Sequence, residues 1–192
     1  MGAPDVVRSN PGPLRRSRAP LDYRLGTRFP RLNRLVFRLV TAIHPRARLR
    51  RALLPRGVQL AFSAYERGDY RSPIEMYYAP DVDFEAGQLG EAAPLDLALT
   101  VSRREDLVPW LEQWVDSFAW VRWDVSEFLD FGDAVVFAMH QEGAGKASGA
   151  VTELLLFSAA RFERGQVTWQ RFFRDRDQAI RAVGRDPDEI PA

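Results

Sequence analysis

The chain has no cysteine and only two histidines, His44 and His140. The first absence excludes disulfides and thiolate metal sites. The second leaves too few imidazoles for a histidine-rich transition-metal centre, so no metal site is expected. No apolar run approaches the roughly 20 residues that a membrane-spanning helix needs. The N-terminus lacks the order of basic start, apolar core and small-residue cleavage site that marks a secretory leader. A soluble, cytoplasmic protein is the expectation. A phosphate-cradling glycine loop is missing too. Gly143–Gly149 (GAGKASG) departs from the Walker pattern and lies between predicted strands, so no cofactor is expected.

What is present is one ordinary globular composition with an unequal charge distribution. The 192 residues are 46% apolar and 28% charged, enough for one domain with a sizeable core plus an extension. The net charge of +1 conceals fourteen arginines against Asp5 and Asp22 within residues 1–57, so the remainder is strongly acidic. Five prolines among Gly, Ser and Arg make residues 1–30 poor candidates for order. In contrast, Leu32, Leu35, Val36, Leu39, Val40 and Ile43 follow helical spacing, with Arg31, Arg34 and Arg38 on another side and Pro45 as a stop. A second basic cluster, Arg46–Arg51, follows. Three uses of this basic arm stay open: a helix packed on the domain, contact with an anionic partner or membrane surface, or a poorly ordered extension. It has no interleaved aromatics or nucleic-acid module, so nucleic acid is a weak expectation.

The folded domain is expected over 58–184, with a flexible tail at 185–192. Val58, Ala61, Phe62 and Tyr65 predict an amphipathic helix ending near Gly68. Ser72-Pro73-Ile74-Glu75 reads as a capping box opening a second helix, and Ser102 with Glu105 as one opening a third. Between these helices lie a short strand, Val82–Glu85, and a loop over Gly87–Pro94. Trp110 and Trp114 stand one turn apart on the third helix. The period then changes to two. Val121–Phe131 and Ala134–Glu142 predict strands, and Val151–Arg174 predicts a hairpin turning at Arg164-Gly165. A short helix, Asp175–Val183, closes the domain before Gly184. Helices gathered on one face of a curved antiparallel sheet define an α+β class.

That order, together with Tyr65–Asp69 (YERGD), Tyr78–Glu85 (YAPDVDFE), Arg104–Phe118, Phe128–Val136 (FLDFGDAVV) and Phe162–Asp177, resembles the SnoaL-like polyketide cyclase group. This group sits within the superfamily of nuclear transport factor 2 and ketosteroid isomerase. The resemblance covers about residues 58–184. It implies a cone: a bent sheet wrapping the N-terminal helices, a pocket at the wide end, and homodimerisation through the sheet's outer face. It also implies either binding of a small hydrophobic molecule or proton transfer on a hydrophobic carbonyl compound by cyclase- or isomerase-like chemistry. The alternative is a non-catalytic homodimeric binding or interaction module.

The resemblance directs attention to particular residues. The isomerase base position falls on Ala86, so Glu85 or Asp83 would have to substitute through a one-residue register slip. Tyr65 corresponds to the donor tyrosine. His140, on the strand face shared with Val136 and Ala138, is the sharpest candidate base, with Asp124 a conceivable partner. Ser158 and Ala160 stand where relatives carry a larger polar group and an aromatic. Arg171 is a candidate to hold an acidic ligand or to pair with Glu153. Trp110, Trp114, Trp123, Trp169, Phe172 and Phe173 are candidate pocket walls, although aromatics at these spacings are core residues first.

Overall fold

A computed structural model describes residues 6–9, 21–87 and 97–190. It contains a seven-stranded mixed sheet with helices against its inner face and one short helix on its outer face. The chain runs through β1 (Val7–Ser9), α1 (Leu21–Arg28), α2 (Pro30–Ala42), α3 (Arg48–Tyr65), α4 (Arg71–Tyr77), β2 (Tyr78–Glu85) and β3 (Thr100–Val101). It continues through α5 (Arg104–Asp116), β4 (Phe118–Asp130), β5 (Ala134–Gly145), β6 (Val151–Glu163), β7 (Gln166–Phe173) and α6 (Arg176–Ala182). The strands lie in the order β1-β4-β5-β6-β7-β2-β3, and the sheet does not close. This is the expected α+β cone, with one qualification: β2 pairs in parallel with β7, so the sheet is mixed.

The N-terminal segment contributes more than one helix. β1 adds an edge strand beside β4, and α1 continues almost directly into α2. The Phe29 N–H donates to Leu25 O and the Asn33 N–H to Phe29 O, both at 3.0 Å, which carries the helical path across Pro30. α3 starts at Arg48 and passes through position 57 without a break. The helix expected from Val58 is thus the second half of a longer one that begins inside the basic cluster. Arg50 explains why. It is 1% exposed, and all five of its N–H groups donate. Two go to the Asp130 carboxylate, at 2.7 Å each, and the others to the carbonyls of Thr41, Ile43 and Gly132. Arg50 therefore ties the end of α2 and the start of α3 to the β4–β5 turn, and it is not available to an anionic partner.

Caps and turns refine the expected boundaries. α4 is opened by Asp69, whose Oδ1 accepts from the Ser72 N–H at 3.1 Å, and Ser72 itself lies inside the helix. α5 begins two residues after Ser102, without a side-chain cap. The β6–β7 hairpin turns at Arg164 and Gly165, both at positive φ (51° and 77°). Gly165 is required for a second reason. A Cβ there would sit 2.4 Å from the Cα of Arg38, so the turn rests directly on α2. The loop expected over 87–94 falls, from position 88 onward, outside the described residues. In the segment read as a tail, Pro187–Glu189 forms one 3-10 turn and Ile190 packs beside α6.

The two faces of the sheet bury different clusters. The inner face, including Val135, Phe137, Met139 and Leu156, packs against α3, α4 and α5. On the outer face, Leu129, Val136 and Ala159 pack against Ala179 and Ile180 of α6, with Phe157, Trp169 and Phe173 at the margin. The two-sided apolar character of Leu154–Ala160 is thus met in part by the chain's own last helix. No helix among the described residues is long and apolar enough to cross a membrane.

Candidate functional site

Inside the cone lies a cavity of about 70 Å³ walled by α3, α4, α5 and the inner face of the sheet. Its aromatic walls include Phe62, Tyr65, Tyr78, Phe84, Trp110, Trp114, Trp123 and Phe172. A second chamber of about 60 Å³ lies toward α2 and Phe37. Phe62, Tyr65, Tyr78 and Gln170 belong to both walls and so form the partition. Strand alternation places these side chains: on β5 the odd positions from Val135 to Gln141 face inward, and on β6 Leu156 does the same.

Polar groups in the first chamber are few, and most are already engaged. The Tyr78 hydroxyl donates to Gln170 Oε1 at 2.6 Å, and Gln170 Nε2 donates to the Ser158 hydroxyl at 2.9 Å. Gln141 is different. Its Oε1 accepts two indole N–H bonds, from Trp123 at 2.8 Å and from Trp114 at 3.1 Å. Two donors facing one end of the amide fix that end as oxygen and the other as the N–H₂ group. The Gln141 Nε2 has no hydrogen-bond partner among the described residues, and it is not sealed from space. The Tyr65 hydroxyl also has no partner among them. Burial pushes the ionisation of Tyr65 well above its ordinary range, and it does the same for Tyr78, so both hydroxyls keep their protons. The chamber therefore offers an apolar, aromatic space with two donor groups left over.

The sequence-predicted residues divide sharply. Tyr65, Trp110 and Trp114 line the cavity. Trp110 and Trp114 stack with ring centroids 6.2 Å apart and planes 4° from parallel, and Trp110 anchors its indole N–H on Ala98 O at 2.8 Å. Ser158 is buried and reaches the cavity only through Gln170. Phe173 lies on the outer face beside α6, so it is not a cavity wall.

Strand register corrects the charged candidates. His140 is exposed on the outer face, where its Nε2 lies 3.1 Å from the Ser126 hydroxyl, and it pairs across the strands with Asp124. A base placed there cannot reach a molecule held inside the cone. Phe84 of β2 and Ala86 just after it point inward, so Asp83 and Glu85 point outward. Both bind Arg171, Asp83 through two 2.7 Å contacts and Glu85 through one. Arg171 also lies over the Trp169 ring, 5.1 Å from its centroid. The expected Arg171–Glu153 pair is thus replaced by one with Asp83 and Glu85. Among the described residues, no histidine, carboxylate, lysine or arginine lines the chamber.

Gln141 and Gln170 carry most of the interior polarity, and the sequence reading gave neither a role. The available signal was parity: Gln141 continues the face of Val135, Phe137 and Met139. A polar residue ending an apolar strand face, opposite two tryptophans, is a satisfiable buried amide.

Comparison with solved structures agrees with this architecture. An NTF2-like protein of Burkholderia pseudomallei K96243 is 20% identical, with 66% of this chain and 94% of that one covered and a TM-score of 0.54. A ketosteroid isomerase-like protein of Catenulispora acidiphila DSM 44928, solved with trimethylamine, is 15% identical, covering 71% and 98%, at a TM-score of 0.53. A candidate SnoaL-like polyketide cyclase of Jannaschia sp. CCS1 is 16% identical, covering 62% and 83%, at a TM-score of 0.52. No protein-family model and no curated protein matches the sequence. At these identities the likeness defines the fold: an NTF2-like, SnoaL-like α+β cone.

Proposed function

We propose that the cone binds a small, mainly apolar molecule bearing a hydrogen-bond acceptor, such as a carbonyl oxygen, and that it does so without proton transfer. The observation that carries this reading is the Gln141 amide. Two indoles hold its oxygen, and its N–H₂ group, on a residue that lines the aromatic chamber, has no partner among the described residues. Buried donors without partners are costly, so a ligand that supplies an acceptor gains on both sides. Tyr65 adds a second donor. Donors alone can polarise a carbonyl, but abstraction of a neighbouring proton needs a base, and none of the described residues that line the chamber is one.

Size narrows the ligand further. The chamber, at about 70 Å³, is smaller than an engineered core cavity of about 150 Å³ that accepts benzene. A compact ligand fits as the walls stand, and a larger one requires the partly exposed walls, Phe62, Tyr78, Trp110 or Phe172, to move.

The test pairs each ketone with its methylene analogue in thermal-shift titrations. The ketone should raise the transition temperature and the hydrocarbon should not. Equal shifts, or none from any compact ketone, would refute the polar handle. Tyr65→Phe should weaken ketone binding by about tenfold while leaving hydrocarbon responses alone.

A second reading concerns assembly. α6 leaves one end of the outer face uncovered, where Trp120, Val151 and Leu155 are exposed around His140. This end suits a homodimer contact. Light scattering on the full chain tests it: Leu155→Arg should convert a dimer to a monomer. A wild-type protein that stays monomeric at high concentration removes the reading.

A further inference from the structure

An exposed apolar surface lies on the arginine-rich helix pair, on the side turned away from the domain. Leu25, Phe29, Leu32, Leu35 and Leu39 are each at least half exposed. Their spacing over the near-continuous α1–α2 path puts them on one stripe, extended by Leu21 and Val36. Arg24, Arg28, Arg31 and Arg38 are also exposed and border that stripe along one side. Asp22 is the only acidic residue in either helix.

The opposite side of the pair is fixed to the domain. Tyr23 and Val40 are buried, and the Tyr23 hydroxyl donates to Asp69. Phe37 packs on Tyr77 at 4.9 Å and on Phe162 at 5.8 Å between ring centroids. The stripe is therefore ordered before any partner arrives, and docking does not have to fund the folding of a helix. Among the described residues, none covers it, and it faces water.

We infer that this stripe seats the protein on an anionic lipid surface, lying flat in the headgroup layer. The charge pattern selects that occupant. Leucine and phenylalanine side chains enter the acyl boundary, while the bordering guanidinium groups reach lipid phosphates on their long apolar stems. A surface offering apolar depth and dense negative charge together is what an anionic bilayer presents. Neither helix is long and apolar enough to cross it. Arg50 takes no part, since all its donors are spent inside the protein.

The experiment is co-sedimentation of the full chain with vesicles of phosphatidylcholine alone or with roughly 30% phosphatidylglycerol. The anionic vesicles should bind at least about tenfold more tightly, and binding should weaken as salt rises. The triple variant L32S/L35S/L39S changes only exposed positions and should lose most of the binding at physiological salt while keeping the wild-type unfolding curve. Replacing Arg24, Arg28 and Arg31 by serine should abolish the preference for anionic vesicles. Three results would overturn the inference: no binding to anionic vesicles at low salt, equal binding to neutral ones, or full binding by the leucine triple variant. A concentration-dependent dimer that the leucine variant abolishes, with no vesicle binding, would assign the stripe to a second copy and overturn it as well.

Discussion

Arg50 and Gln141 are both polar side chains sunk in apolar surroundings, and they differ in what remains after their bonds are counted. Arg50 spends every donor: a bidentate pair with Asp130 and three backbone carbonyls. Gln141 engages only its oxygen, with two indoles, and its N–H₂ group has no partner among the described residues. A saturated cluster specifies structure, because any change leaves a partner unpaired. An unsaturated one beside an empty space specifies recognition, because the missing partner comes from outside. The contrast separates the knot that holds α2, α3 and the β4–β5 turn together from the chamber proposed to take a ligand.

The largest effect should come from breaking the knot. Arg50→Leu leaves the Asp130 carboxylate, which is 3% exposed, without its counter-charge. A loss of about 3–5 kcal/mol is expected, read as a lower urea midpoint. Arg50→Met combined with Asp130→Leu should recover much of that, because removing both partners leaves no orphan charge. If the single and double variants lose equally, the pair is not what fastens the helices. Gln141→Leu comes next. It strands the indole N–H groups of Trp114 and Trp123, both buried, at a cost of about 2–4 kcal/mol. Its unfolding curve tests whether the oxygen end is structural, independently of any ligand.

The contrast also shows where the amino-acid pattern was informative. Element types, the hairpin turn and the parity of β5 were legible because apolar spacing and Arg164-Gly165 are local signals. The position of His140 relative to Val136 and Ala138 was legible too, but not which face held the cavity. That depends on α6 covering the outer side, a contact between segments far apart in the chain. Arg50 read as one more charge in a basic cluster, since its partner Asp130 lies eighty residues away. The edge strands were missed for a related reason: β1 has three residues and β3 has two, too short to show a period. Asp83 and Glu85 were ambiguous because one slipped residue would have reversed them, and the observed register with β7 turns both outward.

Tyr65→Phe should be nearly neutral for stability at pH 7, since the hydroxyl has no partner among the described residues to lose. Its effect belongs to alkaline solution. Unfolded tyrosines ionise near pH 10, whereas burial raises Tyr65 and Tyr78 above that. Between the unfolded and folded values the unfolded chain holds fewer protons, so stability falls as pH rises. The contribution is fully present below about pH 10 and is lost above it. Denaturation curves at pH 8 and pH 11 should show this loss, and Tyr65→Phe should remove part of it. An unchanged slope in the variant would mean that Tyr65 does not hold a buried proton.

The smallest effect is expected from the outer carboxylates, and its smallness is the informative part. Asp83 and Glu85 have side chains 59% and 44% exposed, and water screens their attraction to Arg171. Asp83→Asn or Glu85→Gln alone should shift stability by less than about 1 kcal/mol, because the other carboxylate keeps the arginine paired. Neither change should alter the response to a ketone, since both groups sit on the far side of β2 from Phe84 and the chamber. Were Glu85→Gln to abolish ketone binding while the fold stayed intact, the strand would have to present that carboxylate inward in the ligand-bound protein. A base would then stand beside Gln141 and Tyr65, and the division between a structural knot and a base-free recognition site would no longer hold.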